Sequence, residues 1–204
     1  MSDTRSAARA RYHHGDLANA LSREAVALAR EGGPEAVVLR EAARRAGVSA
    51  AAAYRHFSSH EELLLVAKER GHELLAESLE AAMQPDAGPR ERLRALGTAY
   101  VGFAEAEPGL FRTAFCHGAR ELAVGPEDLG EYRAFRIVSD ALDALLAAGL
   151  MPAARRPGAE FPAWAALHGL ALLTIDGPLA VCDPATRAAM LDATLDLVER
   201  GLTS

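Results

Sequence analysis

The stretch from Val38 to Glu62 constrains the fold more than any other part of the chain, because it places two helical segments on either side of a single glycine. Residues 39–46 are rich in Ala, Arg and Leu, which favour helix, and Gly47 follows where a helix can end with a positive φ. Ser49 can cap a second helix by accepting a backbone N–H. The sequence therefore predicts a helix, a tight turn and a second helix in close succession.

The second segment, residues 50–56, has the composition of a helix that enters a DNA groove. It begins with four alanines, whose small side chains allow a close approach to the bases, and it ends with Tyr54, Arg55 and His56 before Phe57 turns inward. Two helices joined by a turn of about three or four residues are typical of a DNA-binding helix-turn-helix. We therefore predict that this segment binds double-stranded DNA.

The same region, Arg40 to Leu64, resembles the N-terminal domain of the TetR/AcrR family of one-component transcriptional regulators. The shared pattern stands here as Ala46-Gly47-Val48-Ser49, Tyr54-Arg55-His56-Phe57 and His60-Glu61-Glu62-Leu63. Two positions depart from the family's pattern: His60 replaces the usual Lys, and Ala51-Ala52-Ala53 replaces a frequent Gly-Thr-Leu. The second change removes a hydroxyl donor and leaves methyl groups, which suit contacts with thymine.

The resemblance implies an all-α protein with two domains. Residues 1–60 would form a three-helix helix-turn-helix DNA-binding domain, and residues 61–204 a helical domain for effector binding and dimerisation. Independently of the resemblance, runs of β-branched residues are scarce in the segments between Gly and Pro breakers, and this favours helices over strands. In this arrangement the expected phosphate contacts are Arg40, Ser49, Tyr54, His56 and His60, and the residues nearest to base edges are Ala50, Ala51 and Arg55.

The positive charge is concentrated in the N-terminal part of the chain, as expected for a DNA-binding domain, although the net charge of the whole chain is −6. Residues 1–60 hold nine Arg and six acidic residues, a net charge of +3, whereas residues 61–204 carry a net charge of −9. A basic head on an acidic body concentrates the attraction for phosphate at one end. An ordinary solvated surface would also allow such counts, so the charge supports the motif without proving it.

The N-terminal segment precedes the predicted motif. Residues 1–11 hold Arg5, Arg9 and Arg11, so we expect a mobile arm that lies along the DNA backbone or the minor groove. Asp16 can cap a helix that runs to about residue 31. His13 and His14 are adjacent and point apart on a helix, which favours a phosphate contact or solvation over a metal site.

Helices separated by breakers account for the rest of the sequence. Ser59 and Glu62 have the spacing of a capping box and predict a long helix up to about Met83. Further helices are predicted near residues 90–107, 108–116, 126–148, 160–175 and 184–201, with residues 118–125 left unassigned. No apolar run is long enough to span a bilayer. The two cysteines, Cys116 and Cys182, are far apart, which fits a reducing cytoplasm.

Aromatic residues are scarce and cluster in the second domain, where they predict a cavity for a mostly apolar ligand. A filled helical core is the alternative. Trp164, His168 and Gly169 also resemble the Trp-His-Gly signature of one class of TetR-family C-terminal domains. The predicted ligand-binding residues are Phe103, Phe111, Phe115, Cys116, His117, Tyr132, Phe135, Trp164 and His168.

Two of the predicted helices carry apolar stripes that can form a four-helix dimer interface. The stripes consist of Trp164, Leu167 and Leu172 in one helix and Leu191, Leu195 and Val198 in the other. We therefore predict a homodimeric repressor that releases its operator when a small apolar effector binds, without a cofactor. A ligandless regulator or an activator is the alternative. An enzyme is remote, since Cys116 and His117 are neighbours that do not face each other on a helix.

Overall fold

The structure of the protein is a computed structural model that describes residues 3–116 and 132–204, with side chains from residue 17 onward. The described residues contain nine α-helices and no strand, which confirms the all-α class. The helices are α1 Asp3–Gly32, α2 Leu39–Arg45, α3 Ala50–Ala53, α4 His60–Ala82, α5 Pro89–Ala106, α6 Pro108–Phe115, α7 Arg133–Ala147, α8 Glu160–Ile175 and α9 Pro184–Thr203. Short 3₁₀ turns occupy Pro34–Ala36, Ala153–Arg155 and Pro178–Val181.

The described residues divide into two compact units. The first unit comprises residues 3–71 and 109–116, and the second comprises residues 72–108 and 132–204. The division falls within α4, so this helix contributes to both units, and most of α6 belongs to the first. The expected domain boundary between residues 60 and 61 stays a prediction.

The first unit buries one apolar face of each of its helices. Leu21, Ala25 and Leu28 recur at helical spacing on α1, and all three are buried. Two glycines allow helices to approach closely. Gly109 lies against the backbone of Ala29 and Arg30 in α1, and Gly71 lies against Leu110 and Ala114 in α6. These contacts pack α6 against α1 and the first half of α4.

In the second unit, α5 contacts α7, α8 and α9. A cluster of buried side chains from α5, α7, α9 and the loop before α8 forms a core: Leu93, Leu142, Leu145, Met151, Ala159 and Leu202. Gly97 of α5 leaves room for the side chains of Leu195 and Leu167, which occupy the space that a Cβ atom would need. The core therefore depends on the absence of a side chain at Gly97, which lets Leu195 and Leu167 pack against the backbone of α5.

Several predicted helix boundaries differ from the observed ones. The first helix begins at Asp3 rather than near Asp16, because Ala and Arg in this segment are strong helix formers. The mobility of the arm stays a prediction. The helix expected from residue 126 is described only from Arg133, and the unassigned loop at residues 118–125 lies outside the described residues, as does His117.

The capping box at α4 is only partly as predicted. Ser59 accepts a hydrogen bond from the N–H of Glu62 at 3.2 Å, as expected. The Glu62 carboxylate, however, accepts from the N–H and the hydroxyl of Ser58, at 2.6 and 2.8 Å, instead of the N–H of Ser59. Ser58 gives the carboxylate two hydrogen bonds, whereas the N–H of Ser59 would give one. The two bonds hold the pKa of Glu62 below its usual value.

None of the helices in the described part of the chain combines the length and apolar character that a membrane span requires.

Candidate nucleic-acid interface

The turn between α2 and α3 is determined by a glycine. The N–H of Val48 donates to the carbonyl of Ala43 at 2.9 Å, and the N–H of Gly47 donates to the carbonyl of Arg44 at 3.2 Å. This pair of bonds is a Schellman motif, and Gly47 adopts its left-handed conformation at φ +70°. Because a side chain is strained at this φ, the glycine sets the angle at which α3 leaves α2.

Ser49 begins α3 as predicted, because its hydroxyl accepts the N–H of Ala52 at 3.2 Å. The prediction of a regular helix up to His56 is wrong, since α3 ends at Ala53. The N–H groups of Arg55 and His56 instead donate to carbonyls three residues earlier, at 3.3 and 2.9 Å. The N–H groups of Tyr54 and Phe57 still donate to carbonyls four residues earlier, at 2.9 and 3.0 Å, so the chain continues to coil past Ala53 with a mixture of the two helical bonding patterns.

One side of this segment is buried and the opposite side faces solvent. Ala53 and Phe57, four residues apart, are buried in the first unit. Ala51 and Arg55, also four apart, are exposed, and Tyr54 is 49% exposed. At 3.6 residues per turn, Ala51 and Arg55 lie at the centre of the outward side. The segment therefore presents methyl groups and one guanidinium to any molecule that contacts this face.

Ion pairs engage two of the nearby arginines. The Glu41 carboxylate accepts hydrogen bonds from Arg44 at 2.6 and 2.7 Å and from Arg45 at 3.0 Å. These bonds lower the pKa of Glu41 to about 2. Arg45 also pairs with Glu31 at 2.7 and 2.8 Å. Within the described residues, Arg40 and Arg55 form no ion pair, so their charges are available to phosphates or bases.

The eight residues predicted to bind DNA all lie in the first unit. Six are exposed, namely Arg40, Ser49, Ala51, Tyr54, Arg55 and His60, and two are half-buried, namely Ala50 and His56. His60 is the first residue of α4. Their accessibility is compatible with the predicted contacts, and the role of each residue stays a prediction.

A hydrogen-bonded triad lies in the second unit. The indole N–H of Trp164 donates to the hydroxyl oxygen of Tyr100 at 2.9 Å, and this oxygen lies 2.8 Å from Nδ1 of His168. Burial raises the pKa of Tyr100 and lowers the pKa of His168. The indole can only donate, so the Tyr100 oxygen accepts from Trp164, whereas the direction of the bond between this hydroxyl and Nδ1 depends on the tautomer of His168.

The residues predicted to bind an effector are divided between the units. Phe111 and Phe115, whose ring centroids are 4.9 Å apart, belong to the first unit, as does Cys116, whose carbonyl accepts from Lys68 at 2.9 Å. The others that the structure describes belong to the second unit, namely Phe103, Tyr132, Phe135, Trp164 and His168. Because α6 packs against α1, Phe111, Phe115 and Cys116 fall in the first unit, and the extent of the effector domain stays a prediction. The ligand itself stays a prediction.

A cleft of about 150 Å³ lies in the second unit, between α5, α8 and α9. None of the predicted ligand-binding residues lines it. Arg187 and Glu105 stand at the cleft, and Arg187 Nε, which is buried, lies 3.6 Å from the Glu105 carboxylate and makes no hydrogen bond. Apolar side chains and one hydroxyl complete the lining, from Val101, Leu170, Leu191 and Thr174. The sequence contains no local signal for this site, since Glu105 and Arg187 are far apart in the chain.

The predicted dimerisation residues occupy different environments. Leu195 is 4% exposed and packs with Leu167 over Gly97, and Val198 packs against the core cluster. Leu195 is therefore buried within the protomer and Leu167 and Val198 are half-buried, because α9 turns that stripe toward α5; their role in a dimer stays a prediction. Trp164 is bonded to Tyr100, and Leu191 lines the cleft. Leu172 is the only one of the predicted residues that is exposed. Leu173 and Leu197, which were not among them, are exposed as well.

Among the described side chains, no group of three His, Cys, Asp or Glu residues could hold a metal ion. His13 and His14, which the sequence analysis considered, have side chains outside the described residues.

Two family models match the chain. The model described as "Bacterial regulatory proteins, tetR family" matches residues 21–67, which include α2, α3 and the turn at Gly47. The model described as "Tetracyclin repressor-like, C-terminal domain" matches residues 93–198, slightly more than half of the chain. Between them they match residues of both compact units.

Solved structures are similar over nearly the whole chain. A protein with unknown function from Rhodococcus sp. RHA1 is 30% identical, with 95% of this chain and 98% of that chain covered and a TM-score of 0.75. A transcriptional regulator from Rhodococcus sp. Rha1 is 24% identical, with 92% and 98% covered and a TM-score of 0.67. The TetR family transcriptional regulator PfmR from Thermus thermophilus is 24% identical, with 90% and 99% covered and a TM-score of 0.61. The comparison with curated proteins finds no match.

Proposed function

Because the chain belongs to the TetR family of bacterial transcriptional regulators, we propose that it is a dimeric repressor whose operator is released by a small effector. The observation that carries the proposal is the outward face of α3 and its final turn. This face exposes Tyr54 and Arg55, and it follows α2, in which Arg44 and Arg45 are held by acidic partners while Arg40 is not. Each protomer inserts this segment into a major groove, at half-sites about one helical turn apart or slightly more.

Membership in a family of transcription regulators sets the enzyme alternative aside. DNA binding also supports a cytoplasmic location for the protein. A ligandless regulator or an activator differs from a releasable repressor in its second unit. The cleft between α5, α8 and α9 supports an effector, because apolar side chains line it beside a buried guanidinium N–H that makes no hydrogen bond.

The effector that fits this cleft is small and mostly apolar, with one hydrogen-bond acceptor. The acceptor would take the N–H of Arg187, and the nearby Glu105 carboxylate disfavours an anion. To reverse operator occupancy from 99:1 to 1:99, the effector must prefer the released state by about 5.5 kcal/mol.

The exposed apolar side chains of α8 and α9 support dimerisation. Leu172, Leu173 and Leu197 are too exposed for the interior of one protomer, and the neighbouring exposed positions Ala189 and Ala193 allow a second helix to approach closely. We therefore assign the dimer interface to this face instead of the stripe with Leu195 and Val198. The symmetry of such a dimer would match a palindromic operator.

The test is a titration of labelled DNA from the region flanking the protein's own gene, over a series of salt concentrations. A specific complex is expected, with an affinity that falls as salt increases. Each phosphate contact contributes about 0.9 to the slope of log affinity against log salt.

Two variants and one matched control locate the contact. Arg55→Ala and Tyr54→Ala should weaken operator binding, whereas Arg155→Ala, which removes an exposed arginine from the second unit, should not. Circular dichroism and sedimentation would verify that helicity and the dimer are intact. Operator affinity equal to that of the wild type in both variants would contradict the assignment of α3 to the groove. A specific complex that no member of a panel of small apolar molecules releases would favour the ligandless alternative.

A further inference from the structure

We propose that α3 recognises its operator chiefly through the 5-methyl groups of thymines, which Ala51 and Ala50 contact, and that Arg55 supplies the one hydrogen-bonding contact to a base. This inference rests on the proposed function and specifies the operator that the same surface reads. It assigns thymines, next to a guanine, to each half-site.

The composition of α3 excludes most forms of base recognition. All four of its residues are alanines, which have neither a donor nor an acceptor in the side chain. Bases in the major groove differ in donors, acceptors and the methyl group of thymine. An alanine can distinguish bases only through apolar contact, and the thymine methyl is the apolar group that the groove offers.

The alanine methyl groups lie on or beside the outward side of the segment. Ala51 is exposed at the centre of the outward side, one turn before Arg55, and the half-buried Ala50 lies one turn before Tyr54. Since no side chain at these positions is longer than a methyl group, the helix backbone can approach the base edges closely. The Ser49 hydroxyl accepts the N–H of Ala52 to cap the helix, and its own hydrogen is the one expected to contact a phosphate.

Arg55 complements the alanines. Among the described residues it has no acidic partner, and its fork of N–H donors matches O6 and N7 of guanine. The nearby Arg44 and Arg45 are less available, because Glu41 and Glu31 hold them. Arg55 is therefore the residue of this segment best suited to read a guanine.

The test uses operator duplexes in which each thymine is replaced singly by deoxyuridine. This replacement removes only the 5-methyl group and keeps every hydrogen-bonding edge. Wild-type protein should bind about fourfold less tightly at each thymine whose methyl group is buried against an alanine, from about 0.8 kcal/mol per carbon. Thymines outside the contacted positions serve as internal controls.

Two glycine variants test which alanine contacts each thymine methyl group. Ala51→Gly and Ala50→Gly remove the opposing methyl group, so the ratio of thymine to uracil affinity should fall to about one at the matching position. The ratio is measured within one protein, so any loss of helix stability affects both duplexes equally. Arg55→Ala should keep the thymine preference and lose the sensitivity to replacement of guanine by 7-deazaguanine.

The outcomes are distinguishable from a failure of the proposed function. A specific complex in which no uracil replacement changes affinity by as much as twofold would overturn the inference and leave the repressor intact. A thymine preference that persists in both glycine variants would also overturn it. If neither flanking DNA nor a selection from random duplexes yields a specific complex, the proposed function fails, and the inference fails with it.

Discussion

Trp164 donates its indole N–H to the hydroxyl of Tyr100, although 64 residues separate them in the chain. The bond joins α8 to α5, and His168 on the next turn of α8 lies within hydrogen-bond distance of the same hydroxyl. Two of the three signature residues at positions 164–169 thus contact the same buried hydroxyl. The Trp and His of this signature therefore help to hold α8 against α5.

Tyr100→Phe should lower the free energy of unfolding by about 1–3 kcal/mol, because it removes the acceptor of the Trp164 N–H and the hydrogen-bond partner of His168 Nδ1. Chemical denaturation measures the change. Tyr54→Phe deletes the same atom from an exposed side chain and should change stability by less than about 0.5 kcal/mol. Equal effects of the two substitutions would show that the buried hydroxyl contributes little.

The stability of the protein should fall as the pH decreases below about 6.5, the ordinary pKa of histidine. Burial lowers the pKa of His168 in the folded state, so the unfolded chain binds more protons in this range and is favoured by acid. His168→Asn keeps a hydrogen-bonding group near the Tyr100 hydroxyl and cannot titrate. Its unfolding free energy should decrease less between about pH 7.5 and pH 5 than that of the wild type; parallel curves would contradict the role of His168.

Gly109→Ala should destabilise the protein by about 1–3 kcal/mol or more, since overpacking has costs of this size. An added Cβ would stand 2.5 Å from the carbonyl oxygen of Arg30 and still closer to that of Ala29, and backbone atoms cannot move aside easily. Gly102→Ala is the matched control, because nothing lies within 4 Å of its added Cβ on α5. That substitution should stabilise by about 0.4–1 kcal/mol. Equal thermal stability of the two variants would argue against the close contact of α6 with α1.

Leu197→Glu should weaken the dimer at least tenfold. Leu197 is 62% exposed in one protomer, and a buried interface would have to exclude water from two copies of the new carboxylate. Sedimentation equilibrium measures the dissociation constant. Met83→Glu, at an exposed position outside α8 and α9, should leave it unchanged.

An unaffected dimer in Leu197→Glu would move the interface to another surface. Leu195→Ala gives a further contrast, because this buried side chain should cost about 2–5 kcal/mol of protomer stability.

The helix-turn-helix could be predicted from the sequence because its signals are local. Gly47 takes a positive φ, Ser49 caps the next helix, and each acts within three residues of its partner in the chain. The same holds for α8, which has the predicted bounds, and for the all-α class. The length of α3 was overestimated, since alanine propensity does not reveal where the chain leaves regular α-helical bonding before the buried Phe57.

Tertiary structure decided the features that depend on residues far apart in sequence. α9 carries two apolar stripes, one with Leu195 and one with Leu197, and periodicity alone cannot distinguish which stripe faces α5. The stripe with Leu195 faces α5 because Gly97 has no side chain and leaves room for Leu195. Likewise, α6 joins the first unit through Gly109, and the Arg187–Glu105 cleft exists only after α5 and α9 have packed. Local sequence determines helices and caps, whereas the faces that helices bury depend on partners that only the folded chain brings together.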